Sequence, residues 1–301
     1  MRRGKAFFFG FVVLVCLLLA HVPMYGDDIY VSDWGSGGGG TILKFDSSGN
    51  GSVFASGFER PFGVAFDGSG NLYMANYYDN NLLKFDPSGH GSVFADSNSG
   101  VDNPIGLAFD RNGNLYAANW NTPAIERFDS SGNGTVFAST GLYRPFGLAF
   151  DGGGNLYVSC AGDGTILKFD SSGNQSVFAS GLSFPLGLAS DSNGNLYVAD
   201  QQTSTIFRYD SSGNRTVFAR RGLDFPIGLA FDSSGYLYVA NDGNVGNNSI
   251  MKFDANGNGS VFASGLPNPG YIAIQVPEPS TCSLLALGVL ALIGTRLRRS
   301  S

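Results

Sequence analysis

The chain is poor in the residues that carry most side-chain chemistry. Its 301 residues include 3 Cys, 2 His and 2 Trp. Between residues 27 and 275 the only cysteine is Cys160, so no disulfide can form within that stretch and its stability has to come from packing. The only histidine there is His90, in the turn Asp-Pro-Ser-Gly-His-Gly-Ser, where an imidazole is expected to point into solvent. There is no G-x-S-x-G elbow, no cluster of His, Cys and Glu, and no paired Glu, which removes the recognised hydrolytic constellations. Basic residues are scarce too. The same stretch carries 12 Lys+Arg against 23 Asp+Glu, about −11. A body that acidic, without a Lys/Arg stripe, is repelled by phosphate backbones, so nucleic acid is excluded as a partner. Long apolar runs are absent except at the two ends.

Those ends have the composition of addresses. Arg2, Arg3 and Lys5 precede an apolar run from Ala6 to Ala20 and a short polar stretch to Gly26, the three regions of a secretory signal peptide. Cys16 follows Val15 rather than a small residue, which argues against a lipoprotein signal. At the other end come Val276, Pro277, Glu278, Pro279 and Ser280, an apolar run from Cys282 to Gly294, and then Arg296, Arg298 and Arg299. A helix over residues 280–295 would be about 24 Å long, short of the roughly 30 Å of a permanent span, and suits transient membrane insertion better than a tail anchor. The order and spacing resemble the PEP-CTERM sorting signal. That resemblance implies an exosortase partner, an inner-membrane intermediate and delivery to the envelope or extracellular matrix of a Gram-negative-type bacterium. The expected organisation is a signal peptide (1–26), a body (27–275) and a sorting signal (276–301).

The body is repetitive. Beginning at Pro61, Pro104, Pro145, Pro185 and Pro226, one pattern recurs every 40 to 43 residues. The clearest copy runs from Pro145 to Phe184. It holds four short apolar or β-branched runs, at Gly147 to Phe150, Leu156 to Ser159, Ile166 to Phe169 and Ser176 to Ala179. D-x-x-G-N turns separate runs too short for ordinary helices, so each unit reads as a four-stranded antiparallel meander, the size of a propeller blade. In Phe146 to Phe150 large residues alternate with Gly147 and Ala149, a bulky face able to nest on a neighbour's slim one. Five complete units span Pro61 to Asn268. Asp27 to Arg60 matches the pattern without its first strand, and "PGYIAI", from Pro269, supplies that strand. The predicted fold is all-β, a six-bladed β-propeller whose sixth blade joins N- and C-terminal strands and leaves no open ladder.

The run P-x-G-L-A-F-D-x-x-G-N-L-Y-V-A-[ND] resembles the NHL repeat and its gluconolactonase-like and streptogramin-lyase-like relatives. The first likeness implies a divalent metal at the channel mouth, held by polar residues before the inner-strand Gly. Here those positions are Phe62, Ile105, Phe146, Leu186, Ile227 and Gly270, none of which offers a hard cation a side-chain oxygen. The second implies a His acid or base, and His90 lies in a turn. No cofactor or metal is therefore expected.

Two residue sets remain as candidate ligand-binding positions. Asp33, Asn76, Asn119, Cys160, Asp200 and Asn241 end the second strands, where they either gather a polar ligand or cap their own loops. Trp34, Tyr77, Tyr78 and Trp120 follow them, and Phe58, Tyr143, Phe184 and Phe225 lie just before the repeat prolines. In an up-and-down blade both loop sets emerge on one face, and such an aromatic face suits stacking on sugar rings or gripping a protein. The expected function is a non-catalytic binding module for an extracellular glycan or an envelope protein. The alternative is a metal-dependent gluconolactonase-like hydrolase or a streptogramin-lyase-like lyase.

Overall fold

Asp46 illustrates how the turns are made. One carboxylate oxygen accepts the backbone N–H groups of Ser48 and Asn50 at 2.9 and 3.0 Å, and the other accepts the Asn50 side-chain amide at 2.8 Å. Gly49 takes φ +86° and donates its N–H to the Asp46 carbonyl, a conformation open to glycine because it has no Cβ. The Asn50 amide and then the backbone donors hold the Asp46 carboxyl below its usual range. The same Asp–Asn lock recurs at Asp129 and Asn133, and at Asp254 and Asn258. In the turn ending at His90, that side chain is 86% exposed.

These turns separate 24 strands in the computed structural model, which describes residues 27–35, 39–243 and 248–275. The strands form six sheets of four, each an antiparallel meander. Blades one to five occupy residues 61–95, 104–138, 145–179, 185–219 and 226–264. In the third blade the strands are Pro145–Phe150, Leu156–Cys160, Thr165–Phe169 and Gln175–Ala179, longer by one or two residues than the apolar runs alone indicate. The extension arises because ladder pairing extends past the apolar residues, to Pro145 against Cys160 and to Cys160 against Thr165. The sixth blade places Pro269–Gln275 beside Asp28–Asp33, with Ile29 facing Ile274 and Val31 facing Ile272. The two ends of the body thus share one sheet. Apart from strands there are only short 3₁₀ turns, at Ser97–Ser99 and Gln201–Thr203, among the described residues. No helix among those residues is long and apolar enough to cross a membrane. The expected signal peptide and transmembrane sorting helix lie outside them.

Blade-to-blade packing is aromatic and closes on itself. At each junction an aromatic ring of one blade's outer strand meets one on the third strand of the next. The six pairs are Phe54 with Phe85, Phe94 with Phe128, Phe137 with Phe169, Phe178 with Tyr209, Phe218 with Phe253 and Phe262 with Phe45, at centroid distances of 5.4 to 6.3 Å. A second layer inserts a second-strand Tyr between its own outer Phe and the next blade's inner Phe, as Tyr73 sits against Phe94 and Phe109. The next blade supplies Ser190 at this position beside Tyr157, and the Ser190 hydroxyl is buried without a hydrogen-bond partner.

Nearest the axis the inner strands crowd together. A Cβ on Gly63, Gly106, Gly147 or Gly187 would fall inside the contact radius of the next inner strand's carbonyl oxygen. The Gly of P-x-G is therefore a condition of blade spacing. The sixth blade inverts the motif: Gly270 stands where the others have a bulky residue, and Tyr271 takes the glycine position. The Tyr271 ring stacks on Phe146 of the diametrically opposite third blade at 5.8 Å, and its hydroxyl donates to the Phe146 carbonyl at 3.1 Å. Tyr271 is buried and bridges the axis between opposite blades.

Deleting Pro269 to Gln275 removes that plug and leaves the Asp28–Asp33 strand with an unpaired edge. The truncated protein should lose more than about 5 kcal/mol and melt at least 10 °C or so below the parent. Calorimetry checks this, and equal melting temperatures would exclude a closing role for the strand.

Candidate functional site

The face at which the inner strands begin is built from three residue rings, one above another. The lowest comprises the residues after the repeat prolines: Phe62, Ile105, Phe146, Leu186 and Ile227, with Gly270 completing the circle. The five side-chain-bearing members are between 1 and 7% exposed. An apolar floor of this kind has no oxygen to give a hard cation, so these residues do not fit the divalent site of gluconolactonase-like enzymes. Among the described residues no group of three or more His, Cys, Asp and Glu is placed to hold a metal.

The second ring comprises the residues that end the second strands. Asp33, Asn76, Asn119, Cys160, Asp200 and Asn241 are all 2% exposed or less. Four of them clamp the connection that leads into their blade's inner strand. Asp33 accepts from the Asn268 N–H, and Asp200 accepts from Ser183 and Phe184 at 3.1 and 2.7 Å. Asn119 accepts from Asp102 and donates to the Gly100 carbonyl, and Asn241 does the same with Asp224 and Gly222. Among the described residues, Asp33, through Gly35, and Asn76, through Asp79, bond their own following loop. The difference from simple strand capping is one of reach: the partners lie 16 to 19 residues back in three blades, and at the far end of the body for Asp33. Burial pushes the Asp33 carboxyl above its usual range despite its two backbone donors, and burial likewise raises the Cys160 thiol. A raised thiol pKa leaves Cys160 less reactive than a free cysteine.

The third ring sits at the rim. Trp34, Tyr77, Trp120, Ala161, Gln201 and Asp242 each donate the backbone N–H to the carbonyl of the residue before their blade's proline, at 3.0 to 3.3 Å. Those acceptors are Asn268, Arg60, Asn103, Arg144, Phe184 and Phe225. Four of the six, Arg60, Asn103, Arg144 and Phe225, hold φ between +48° and +67°. A left-handed backbone at a residue other than glycine costs on the order of 1 kcal/mol and is paid where position matters.

Here it places two arginines. The Arg60 guanidinium lies 5.2 Å from the Trp34 ring, within 6 Å of Phe62, Tyr77 and Tyr78, and donates to the Tyr78 hydroxyl at 2.9 Å. Arg144 lies 5.5 Å from Trp120. Trp34 meets Phe62 edge-on at 5.0 Å, and Trp120 meets Phe146 at 6.0 Å. The result is one Trp–Arg–Phe cluster made twice, two blades apart, with Tyr77 between the copies. Trp34, Tyr77 and Trp120 are half-buried, each with one face committed to packing, while Tyr78 is 55% exposed. This face holds a cup of about 310 Å³, walled by Trp34, Tyr77, Trp120 and Phe184 and floored by the apolar ring, with Tyr78 outside it. Trp34 and Arg60 also line an adjoining cavity of about 470 Å³ with Glu59, Tyr78 and Asp242.

Several of these residues escape sequence reasoning. The tetrapeptide Arg-Pro-Phe-Gly occurs at 60–63 and again at 144–147, and the sixth repeat reads Pro-Gly-Tyr where the others read Pro-x-Gly. Both departures mark the arginines and Tyr271 once the repeats are aligned. Asp242 carries no such signal.

A family model described as the PEP-CTERM protein-sorting motif matches residues 275–299. No curated protein matches the chain. Solved structures show the fold. A chain of a nidogen/laminin complex is 21% identical, with 83% of this chain and 99% of that one covered at a TM-score of 0.73. A streptogramin B lyase is 17% identical, with 80% and 75% covered at 0.58. A gluconolactonase from Xanthomonas campestris is 20% identical, with 70% and 76% covered at 0.59.

Burial, and then the Asp33 carboxylate, push Asp242 up to about 6 against the pull of Arg60. Its folded pKa lies above its unfolded one, so the folded protein binds the extra proton between about pH 4 and 6 and loses stability as pH rises through that window. Asp242→Asn should leave stability near parental at pH 4 and raise it by on the order of 1 kcal/mol at pH 7.5. Thermal melts at the two pH values check the sign.

Proposed function

We propose that this protein is an exported, envelope- or matrix-associated propeller that binds a glycan or another protein through the aromatic cup and catalyses no reaction. The observation that carries the reading is the cup itself. It combines stacking surfaces with the Arg60 guanidinium over an apolar floor, with Arg144 set against the Trp120 ring, a composition suited to recognition and poor in acids, bases and nucleophiles. The PEP-CTERM motif implies export, exosortase processing and sorting to the bacterial cell envelope. In the finer form of this reading, residues 1–26 are a signal peptide and residues 27–275 are the functional body. The segment 276–301 crosses the inner membrane of a Gram-negative-type cell transiently, with Arg296, Arg298 and Arg299 on the cytoplasmic side.

A glycan array and a pull-down with residues 27–275 test the binding role. Trp34→Ala combined with Trp120→Ala should weaken the captured ligand at least tenfold while the fold survives. Lactone turnover that a chelator abolishes and added metal restores would overturn the non-catalytic reading.

Mass spectrometry of envelope and extracellular fractions tests sorting. Mature protein lacking Cys282 to Ser301 is the expected product, and an intact C-terminus on all of it would make the tail a permanent anchor.

A further inference from the structure

Resting on that binding role, we infer that the cup recognises an acidic segment of a partner protein, in which a large apolar side chain enters the cup while flanking carboxylates meet Arg60 and Arg144. Three observations lead there. First, the floor is uniformly apolar, and among the described residues Gln201 and Arg60 are the only non-aromatic polar side chains that line the cup. A sugar ring buried on Phe62, Ile105, Phe146, Leu186 and Ile227 would leave hydroxyls without partners, whereas an aromatic or branched aliphatic side chain would not.

Second, neither arginine has a carboxylate within ion-pair distance among the described residues. Both are held on left-handed backbone over an indole ring, which fixes the cation and leaves its remaining N–H donors for a ligand. Third, in a body that is strongly acidic, Arg60 lines the apolar cup and Arg144 lies against its Trp120 wall, so a cation stands at each of these two tryptophans. Electrostatic complementarity then favours carboxylates placed beside the apolar anchor and disfavours lysines there. The duplicated Trp–Arg–Phe cluster sets the pattern to be matched: one acidic group at each arginine, on either side of a single anchor. Asp242 and Glu59, which line the adjoining cavity with Arg60, oppose this attraction, and removing the Asp242 charge should strengthen it.

The test is selection of a random twelve-residue peptide display library on the immobilised full-length chain in mild detergent, with a glycan array, uronic-acid oligosaccharides included, run in parallel. The expected consensus has Asp or Glu on both sides of Phe, Tyr, Trp or Leu. Its leading peptide should bind about tenfold more weakly to the Arg60→Gln, Arg144→Gln double variant and more tightly to Asp242→Asn, and should weaken as salt rises. The Asp242→Asn result keeps the test decisive if the arginine variants misfold. A neutral or basic consensus, or acidic peptides indifferent to both the arginine pair and Asp242, overturns the inference. Glycan capture that needs Trp34 and Trp120, with no peptide consensus, overturns it but leaves the binding role standing. Absence of both peptide and glycan capture overturns the two together.

Discussion

In this protein each of the six sheets has both faces covered by another sheet, so no blade can bury its apolar surface alone. The structure depends on closing the circle. The closing strand, Pro269–Gln275, is also the one that breaks the inner-strand rule, with Tyr271 in the place where the others need glycine. Its hydroxyl reaches the opposite blade and its ring fills the axis. Ring closure and the filling of the axis by Tyr271 thus come from one short segment, and burial there raises the Tyr271 phenol above its ordinary range.

Sealing the axis determines where ligands can bind. A propeller with an open channel can offer its walls, but here the axial surface ends at a floor of bulky apolar residues. Under the proposed binding role, the surface left to a ligand lies above that floor, on loops. Those loops are not loose: every rim residue donates to the carbonyl before its blade's proline, and a ring of buried Asx side chains clamps most of the connections from beneath. Such rigidity lowers the entropic cost of holding aromatic side chains and guanidinium groups ready for a partner. It also explains why a residue type that looks like a ligand-gathering ring is fully buried. Carboxylate and amide oxygens are the groups best able to satisfy the backbone N–H groups of a loop that would otherwise be buried unpaired.

The two halves of the rim differ in chemistry while sharing one backbone. Trp34, Tyr77 and Trp120 lie on one side, and Ala161, Gln201 and Asp242 on the other. The repeat supplies a constant scaffold, and single positions within it carry the variation, which is the economy that repeat proteins allow. Solved structures that share the fold include a streptogramin B lyase and a gluconolactonase.

Much was legible from the chain alone. The period of 40 to 43 residues, the D-x-x-G-N turns and the split repeat determined the all-β ring, its six blades and its manner of closure, because short-range turn chemistry and alternation act locally and repeat six times over. The apolar positions of the floor were legible as well, and of the eight loop aromatics expected on one face, Trp34, Tyr77, Trp120 and Phe184 line the cup. The arginines and the plug were decided by the tertiary structure. Arg60 and Trp34 come from different blades, and Tyr271 and Phe146 are 125 residues apart on opposite sides of the axis. Whether such residues meet depends on the distance between inner strands and on the left-handed backbone before the prolines. Both are set by how six sheets pack around one axis, a quantity that no single repeat contains.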